Sequence, residues 1–235
     1  MQLKKQYKAV FIDLDDTLWD FHTNARLTLK TIFVNHSLQR YFENFDRFFD
    51  VYAARNIQLW EAYSKSEITK DFLMTERFRY PLATAGIYNV PLAEQMGIEF
   101  LDLLPDQTTL MPHALELLPY LSSKYPLTII SNGFIEVQYR KMKSSRIEPY
   151  VTHIVLSEAV GVLKPEKAIF DYALTLNNLD AHDVVMIGDS YAADIVGARN
   201  AGIDQIYYPL NYPTDRDAIQ STHTIRSLQD VFDIL

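Results

Sequence analysis

The sequence contains no cysteine, which excludes disulfides and thiolate catalysis and fits a reducing compartment. Basic residues are also in short supply: 22 Lys and Arg stand against 30 Asp and Glu, a formal charge of −8. That balance argues against a general binder of nucleic-acid polymers or membranes, whose footprint is a basic patch. An acidic protein that handles an anion needs local compensation from a metal or a placed Lys or Arg. No apolar run reaches the length of a membrane span. The basic stretch Met1–Lys8 leads only into a short apolar run ending at Asp13, without the long apolar region and small-residue cleavage site of a signal peptide. A cytoplasmic protein is expected. Internal repeats and low-complexity tracts are absent as well. At 48% hydrophobic content the 235 residues suffice for one large domain, or for a core domain with an insertion.

What is present is organised around Ala9–Trp19, AVFIDLDDTLW. An uninterrupted apolar run ending in acids reads as a buried strand of a parallel sheet that delivers carboxylates to the sheet edge. Ligands of such sheets bind beyond the carboxyl ends of the strands, where Asp13 and Asp15 fall. Three acids within four residues repel one another, and a hard divalent cation is the simplest compensation. The duller reading is a turn, because Asp tolerates unusual backbone geometry; Asp16 is read that way.

Residues 20 to 104 read as successive helices. Asn24–His36, Tyr41–Tyr63, Ile68–Tyr80 (with Ser66 as a plausible start) and Pro91–Phe100 carry apolar residues at helical spacing, and no convincing strand interrupts them. From Pro105 the pattern alternates. Strands are expected at Leu127–Ile130, His153–Leu156, Val184–Ile187 and Gln205–Tyr208. Helices are expected from Pro112 to about Lys124, after Gly133, up to about Asn177, from about Tyr191 to Ala201, and behind a capping box at Ser227 and Asp230. The fold class is therefore α/β: a doubly wound, Rossmann-like parallel sheet, residues 1–20 and 105–235, with an all-helical insertion over 21–104.

Polar residues fall at four strand ends or the loops after them: Asp13 with Asp15, Ser131 with Asn132, Lys164, and Asp189 with Asp194. In a parallel sheet these ends share one edge, so residues 150 or more apart converge. With these motifs the chain resembles the haloacid dehalogenase-like superfamily of phosphohydrolases. The pattern D-x-D-x-T/V stands as Asp13-Leu14-Asp15-Asp16-Thr17, the second motif as Ser131-Asn132-Gly133, the third as Lys164-Pro165, and the fourth, G-D-x-x-x-x-D, as Gly188-Asp189 through Asp194. The insertion is similar to the type 1 helical cap of that superfamily. Asn56–Tyr63, Ile68-Thr69, Glu76-Arg77-Phe78 and Ile169–Leu174 resemble its pyrimidine 5′-nucleotidase (YjjG-like) branch.

The resemblance implies a Mg²⁺-dependent phosphomonoesterase acting on a small phosphomonoester, with no polymer or membrane partner and an oligomeric state left open. It implies Asp13 as the nucleophile of an aspartyl-phosphate, Asp15 as general acid and base, and Lys164 as charge compensation. Mg²⁺ would take Asp13, the carbonyl of Asp15 and Asp189. Asp194 would orient metal water or Lys164 from behind, and Thr17 would support the loop. Ser131 with the following N–H groups of Asn132 and Gly133 would bind a phosphoryl oxygen. Aromatic faces can stack on a base; Phe134 and Tyr191, each just after a motif, are the better candidates, ahead of Trp19, Phe21 and Trp60, for which core packing is the simpler reading. Arg77 and Arg79 either reach a substrate or line an exposed helix face. His22, His113 and His153 show no metal spacing. A sugar-phosphate phosphatase or phosphomutase of the same superfamily stays open, while Asp15 argues against a dehalogenase. A phosphoreceiver-like regulatory module would also cluster acids, a hydroxyl and a lysine, but the motif order and the long insertion do not fit one.

Overall fold

The computed structural model describes residues 5–210 and 220–235. The first four residues of the basic N-terminal stretch lie outside them. The chain divides into two compact units, Met1–Phe21 with Thr108–Leu235, and His22–Gln107.

The first unit is built on a parallel sheet of six strands: β1 (Ala9–Ile12), β2 (Leu127–Ser131), β3 (His153–Leu156), β4 (Val184–Gly188), β5 (Asp204–Tyr207) and β6 (His223–Thr224). Their order is β3-β2-β1-β4-β5-β6, so β1 lies between β2 and β4. Every residue of β1, β2 and β4 is buried, as both faces of a helix-covered parallel sheet require. One face sets Ala9, Phe11, Ile130, Val184 and Met186 against Ile169, Phe170 and Ala198, from α8 (Lys167–Asn177) and α9 (Val196–Asn200). The register pairs Ile12 with both Ile129 and Ile187, so β1, β2 and β4 end side by side. Chain connections run to opposite sides of β1, which makes its carboxyl end the switch point where such sheets hold ligands. β6, two residues long, was not expected; so short a segment has no period to read. The capping box at Ser227 and Asp230 is present, opening a short 3₁₀ turn before the last helix.

The second unit holds α2 (Phe45–Ser64), α3 (Lys70–Thr84), α4 (Val90–Leu103) and all but the first residue of α1 (Phe21–Asn35). Four starts differ from expectation: α1 opens at Phe21 rather than Asn24, and the other three helices open behind a capping residue. α2 opens at Phe45 rather than Tyr41, capped by Asn44, which accepts from the N–H of Arg47. Thr69 rather than Ser66 caps α3, accepting from the N–H of Phe72. Asn89 caps α4 with Pro91 in its first turn. In each case the capping residue is the one whose side-chain oxygen satisfies an unpaired N–H of the first turn. In the first unit, α5 (Ala114–Ser122) begins two residues after Pro112. The core of the helical unit is aromatic: Phe42 and Phe48 meet at 5.2 Å, Tyr52 and Phe78 at 5.4 Å, Phe78 and Phe100 at 5.7 Å. Arg77 lies within it, 2% exposed, with its guanidinium carbon 4.6 Å from the Phe100 ring. An exposed helix face is therefore not its setting. Arg79 is half exposed and paired with Glu76 at 2.6 Å.

Candidate active site

The carboxyl end of β1 delivers Asp13, whose N–H still bonds the Ile187 carbonyl at 2.9 Å. The chain then folds back at once. The Asp16 N–H donates to the Trp19 carbonyl at 2.7 Å, and the Trp19 N–H to the Leu14 carbonyl at 2.9 Å. Asp16 carries the turn at φ +59°, a left-handed conformation that Asp adopts more readily than most side chains. This is the structural role expected of it. The turn keeps Asp13 and Asp15 beside each other at the sheet edge.

Lys164 arrives from the segment between α7 (Ser157–Val160) and α8. Its ammonium is buried and donates to the Asp13 carboxylate, to Asp194 Oδ1 at 2.7 Å and to the Ile130 carbonyl at 2.7 Å. All three of its protons have acceptors. Burial acts to lower the Lys164 pKa, but the Asp13 and Asp194 charges more than offset it and hold the group above its usual range. Asn132 anchors the Lys164 backbone from both sides, accepting from its N–H at 2.8 Å and donating to its carbonyl at 3.0 Å. The Asn132 side chain is thus committed to Lys164, leaving the backbone as its route to a ligand.

Asp189 follows β4 and accepts from Thr17 Oγ1 at 3.2 Å. Asp194 sits fully buried in a single π-helical turn, Tyr191–Ile195, where a regular helix had been expected. Such turns occur often at functional sites. Its Oδ2 accepts from the Ser190 N–H at 3.0 Å, while Oδ1 takes Lys164.

Carboxylate oxygens of Asp13, Asp189 and Asp194 lie within 4.8 Å of one another, with Lys164 as the ammonium among them. Burial pushes the Asp13 carboxyl up to about 7 in spite of Lys164, and the Asp194 and Asp15 charges add to the rise. Asp189 is also held well above the carboxylate range, by burial first and then by Asp13, Asp194 and Asp16. Three crowded carboxylates around one ammonium fit a divalent cation, and an all-oxygen donor set fits a hard one.

The haloacid dehalogenase-like hydrolase profile matches residues 7–202. The chain belongs to the haloacid dehalogenase-like hydrolases. It is 29% identical over 233 residues to the HAD-hydrolase YfnB of Bacillus subtilis, covering 98% of this chain and 96% of YfnB. A crystal structure of YfnB described as bound to magnesium superposes with a TM-score of 0.88, over 98% of this chain and 99% of that one. The pyrimidine 5′-nucleotidase YjjG of Escherichia coli is 30% identical over 234 residues, with 96% of each chain covered. The glyceraldehyde 3-phosphate phosphatase of Pyrococcus abyssi is 27% identical over 219 residues, with 86% of this chain and 81% of the relative covered.

In this haloacid dehalogenase-like hydrolase Ser131, the last residue of β2, is 2% exposed. Its Oγ accepts from the Gly133 N–H at 3.1 Å and from Gln138 Nε2 at 2.6 Å. Both lone pairs are filled, so the hydroxyl proton is the group left to point at a ligand. The Gly133 N–H is spent on that contact, and a Cβ on Gly133 would meet the Gln138 side chain at 2.3 Å. Phe134 is 3% exposed, so little of its ring is open to stack on a base. Tyr191 is partly exposed; its hydroxyl accepts from the Gln220 N–H at 3.1 Å and its ring meets Tyr207 edge-on at 5.5 Å. Trp19 is fully buried, and Trp60 packs edge-on against Tyr63 at 5.6 Å.

Two site residues escaped the sequence reading. Gln138 and Lys141, on α6 (Ile135–Ser144), are both buried and both bond the Asp15 carboxylate. The signal was available: with Phe134, Val137 and Met142 facing inward, positions 138 and 141 share their stripe, and a Gln and a Lys there require polar partners.

Gly188 closes the site at the end of β4. A Cβ at this position would meet the Asp194 carboxylate at 2.4 Å. Gly188→Ala is expected to lower stability by about 1–3 kcal/mol by pushing Asp194 off Lys164. Urea unfolding measures this, and an unchanged midpoint would mean that Asp194 has room to move.

Proposed function

We propose that this hydrolase is a Mg²⁺-dependent phosphomonoesterase that works through an aspartyl-phosphate on Asp13, with a pyrimidine nucleoside 5′-monophosphate as substrate. The observation that carries the reading is the buried Asp13 carboxylate at the switch point, bonded to Lys164 and grouped with Asp189 and Asp194. Asp13, Asp189 and the carbonyl of Asp15 would hold the ion; Asp194, with both oxygens committed, would keep Lys164 in place. When bound, Mg²⁺ supplies positive charge to the phosphoryl oxygens and to the crowded carboxylates.

The chain's own groups account for the rest. An Asp13 oxygen attacks phosphorus, the bond to the ester oxygen breaks, and Asp15 gives its proton to that leaving oxygen. Asp15, now a carboxylate, takes a proton from water as the water attacks the phosphorus of the aspartyl-phosphate. Asp13 and phosphate are released and Asp15 is protonated again. Ser131 donates its free hydroxyl proton to a phosphoryl oxygen, and Lys164 steadies Asp13.

The nucleotide assignment rests on YjjG. A sugar-phosphate reading is supported by the Pyrococcus phosphatase and is the alternative. Phosphate release from UMP, dUMP, dTMP, purine nucleotides and sugar phosphates, with Mg²⁺ and with EDTA, separates them. Release from the pyrimidine nucleotides that EDTA abolishes is expected. A preference for sugar phosphates would replace the substrate and keep the chemistry, whereas no release from any ester would overturn both.

A further inference from the structure

The Asp15 carboxylate is gripped from one side by a single helix. Lys141 Nζ donates to Oδ1 at 2.6 Å and Gln138 Nε2 donates to Oδ2 at 2.8 Å, so both oxygens have a fixed donor. Two-point contact of this kind sets the plane of a carboxylate as well as its position. The lysine is itself held. Its side chain is 3% exposed, and its ammonium lies 4.4 Å from the centre of the Trp19 ring and 5.5 Å from that of Phe21. Trp19 and Phe21 belong to the segment that leaves Asp15, so the turn that carries the carboxylate also builds the aromatic seat for its partner. Gln138 ties the arrangement to the second motif, since its Nε2 also donates to Ser131 Oγ at 2.6 Å.

A lysine buried on the inward stripe of an amphipathic helix is costly to desolvate, and a Leu or Met would fill the same space without that cost. Its placement in contact with Asp15 needs a reason at Asp15. We infer that Lys141 is a positioning residue that, with Gln138, fixes the Asp15 carboxylate for proton transfer to the leaving oxygen and from the attacking water. The inference rests on the phosphatase reading above and adds to it two residues of α6. Lys141 touches neither the reacting phosphorus nor Asp13 in this role; it acts through Asp15.

A group that acts through the general acid leaves a chemical signature. An alkyl leaving oxygen needs a proton as the bond to phosphorus breaks, whereas p-nitrophenolate departs without one. Kinetics of the full-length protein on UMP or ribose 5-phosphate, and in parallel on p-nitrophenyl phosphate, therefore separate positioning from folding. Lys141→Met is expected to lower kcat/KM for the alkyl ester by about 100-fold and for the aryl ester by at least about tenfold less. Lys141→Arg, which keeps a cationic donor, is expected to recover most of the alkyl activity. In an Asp15→Asn background, Lys141→Met should leave the alkyl-to-aryl ratio where Asp15→Asn alone puts it, because the two residues act as one unit. Lys141→Gln, which removes the charge and is too short to keep the lysine's contact with Asp15, replaces the Met variant if that one does not fold, with the same unequal losses expected. Equal losses on both esters, or a full additional loss in the Asp15→Asn background, would overturn the inference and leave the phosphatase reading intact. A wild-type protein that releases phosphate from neither ester would overturn the reading and the inference together.

Discussion

Replacing Asp13 with Asn is expected to lower kcat by about 10⁴-fold or more while raising the stability of the metal-free protein above neutral pH. Asn preserves shape but offers no carboxylate oxygen to attack phosphorus. The stability effect follows from the same burial. The Asp13 carboxyl is pushed up to about 7 in the folded protein, chiefly by desolvation, against about 4 in an unfolded chain. A carboxyl raised in this sense favours the fold while protonated. Its contribution is fully present below the unfolded value and is lost as pH rises through the folded one. Without metal, the wild-type protein should therefore lose stability between about pH 4 and about pH 7, and Asp189, shifted in the same direction, adds to the slope. The Asn variant carries no charge at position 13 and should show a flatter curve. Thermal unfolding of both proteins in EDTA across this range, beside turnover with Mg²⁺, checks the two halves. Wild-type turnover in the variant would remove Asp13 as nucleophile, and an unchanged pH slope would mean that its carboxyl is not forced towards neutrality by the site.

Lys164→Met should cost about 3–5 kcal/mol of stability and about 10²- to 10³-fold in kcat/KM. The methionine fills similar space, so the loss is electrostatic. Two buried carboxylates, Asp13 and Asp194, lose their shared ammonium, and the Ile130 carbonyl loses its donor. Breaking a buried pair on one side leaves an uncompensated charge, which is worse than removing the pair altogether. Adding Mg²⁺ should return part of the stability, because a bound cation takes up charge that Lys164 no longer offsets. The urea midpoint with and without Mg²⁺ measures this. A midpoint unmoved by the substitution would show that the carboxylates are compensated without Lys164.

The parallel sheet was legible because β1, β2 and β4 are short apolar runs broken by Gly, Asp or Asn, with helical periods between them. Their carboxyl-end residues had to share an edge once the strands ran parallel, and that argument alone brought Asp13, Ser131, Lys164 and Asp189 into one place. The helix starts were less legible, since Ser66 and Thr69 are both acceptable caps in sequence and only the hydrogen bond to Phe72 chooses between them. For Arg77 an exposed helix face was one of two readings left open, because an arginine at helical spacing is usually a surface residue, and the aromatic core was neither of them. An aromatic core that accepts its guanidinium forms only when α2, α3 and α4 pack together.

Sequence by itself determined the α/β order, the position of the four polar motifs at strand ends and the excess of acid that calls for a cation. These follow from local period and spacing, which every short stretch carries within itself. Tertiary structure alone decided how the polar groups are shared out: Asn132 to the Lys164 backbone, the Ser131 lone pairs to Gly133 and Gln138, Asp194 to Lys164, and Asp15 to Lys141. Each of these donors and acceptors had several chemically acceptable partners along the chain. The choice among them is made by distances of about 3 Å, which exist only once the strands and helices have packed.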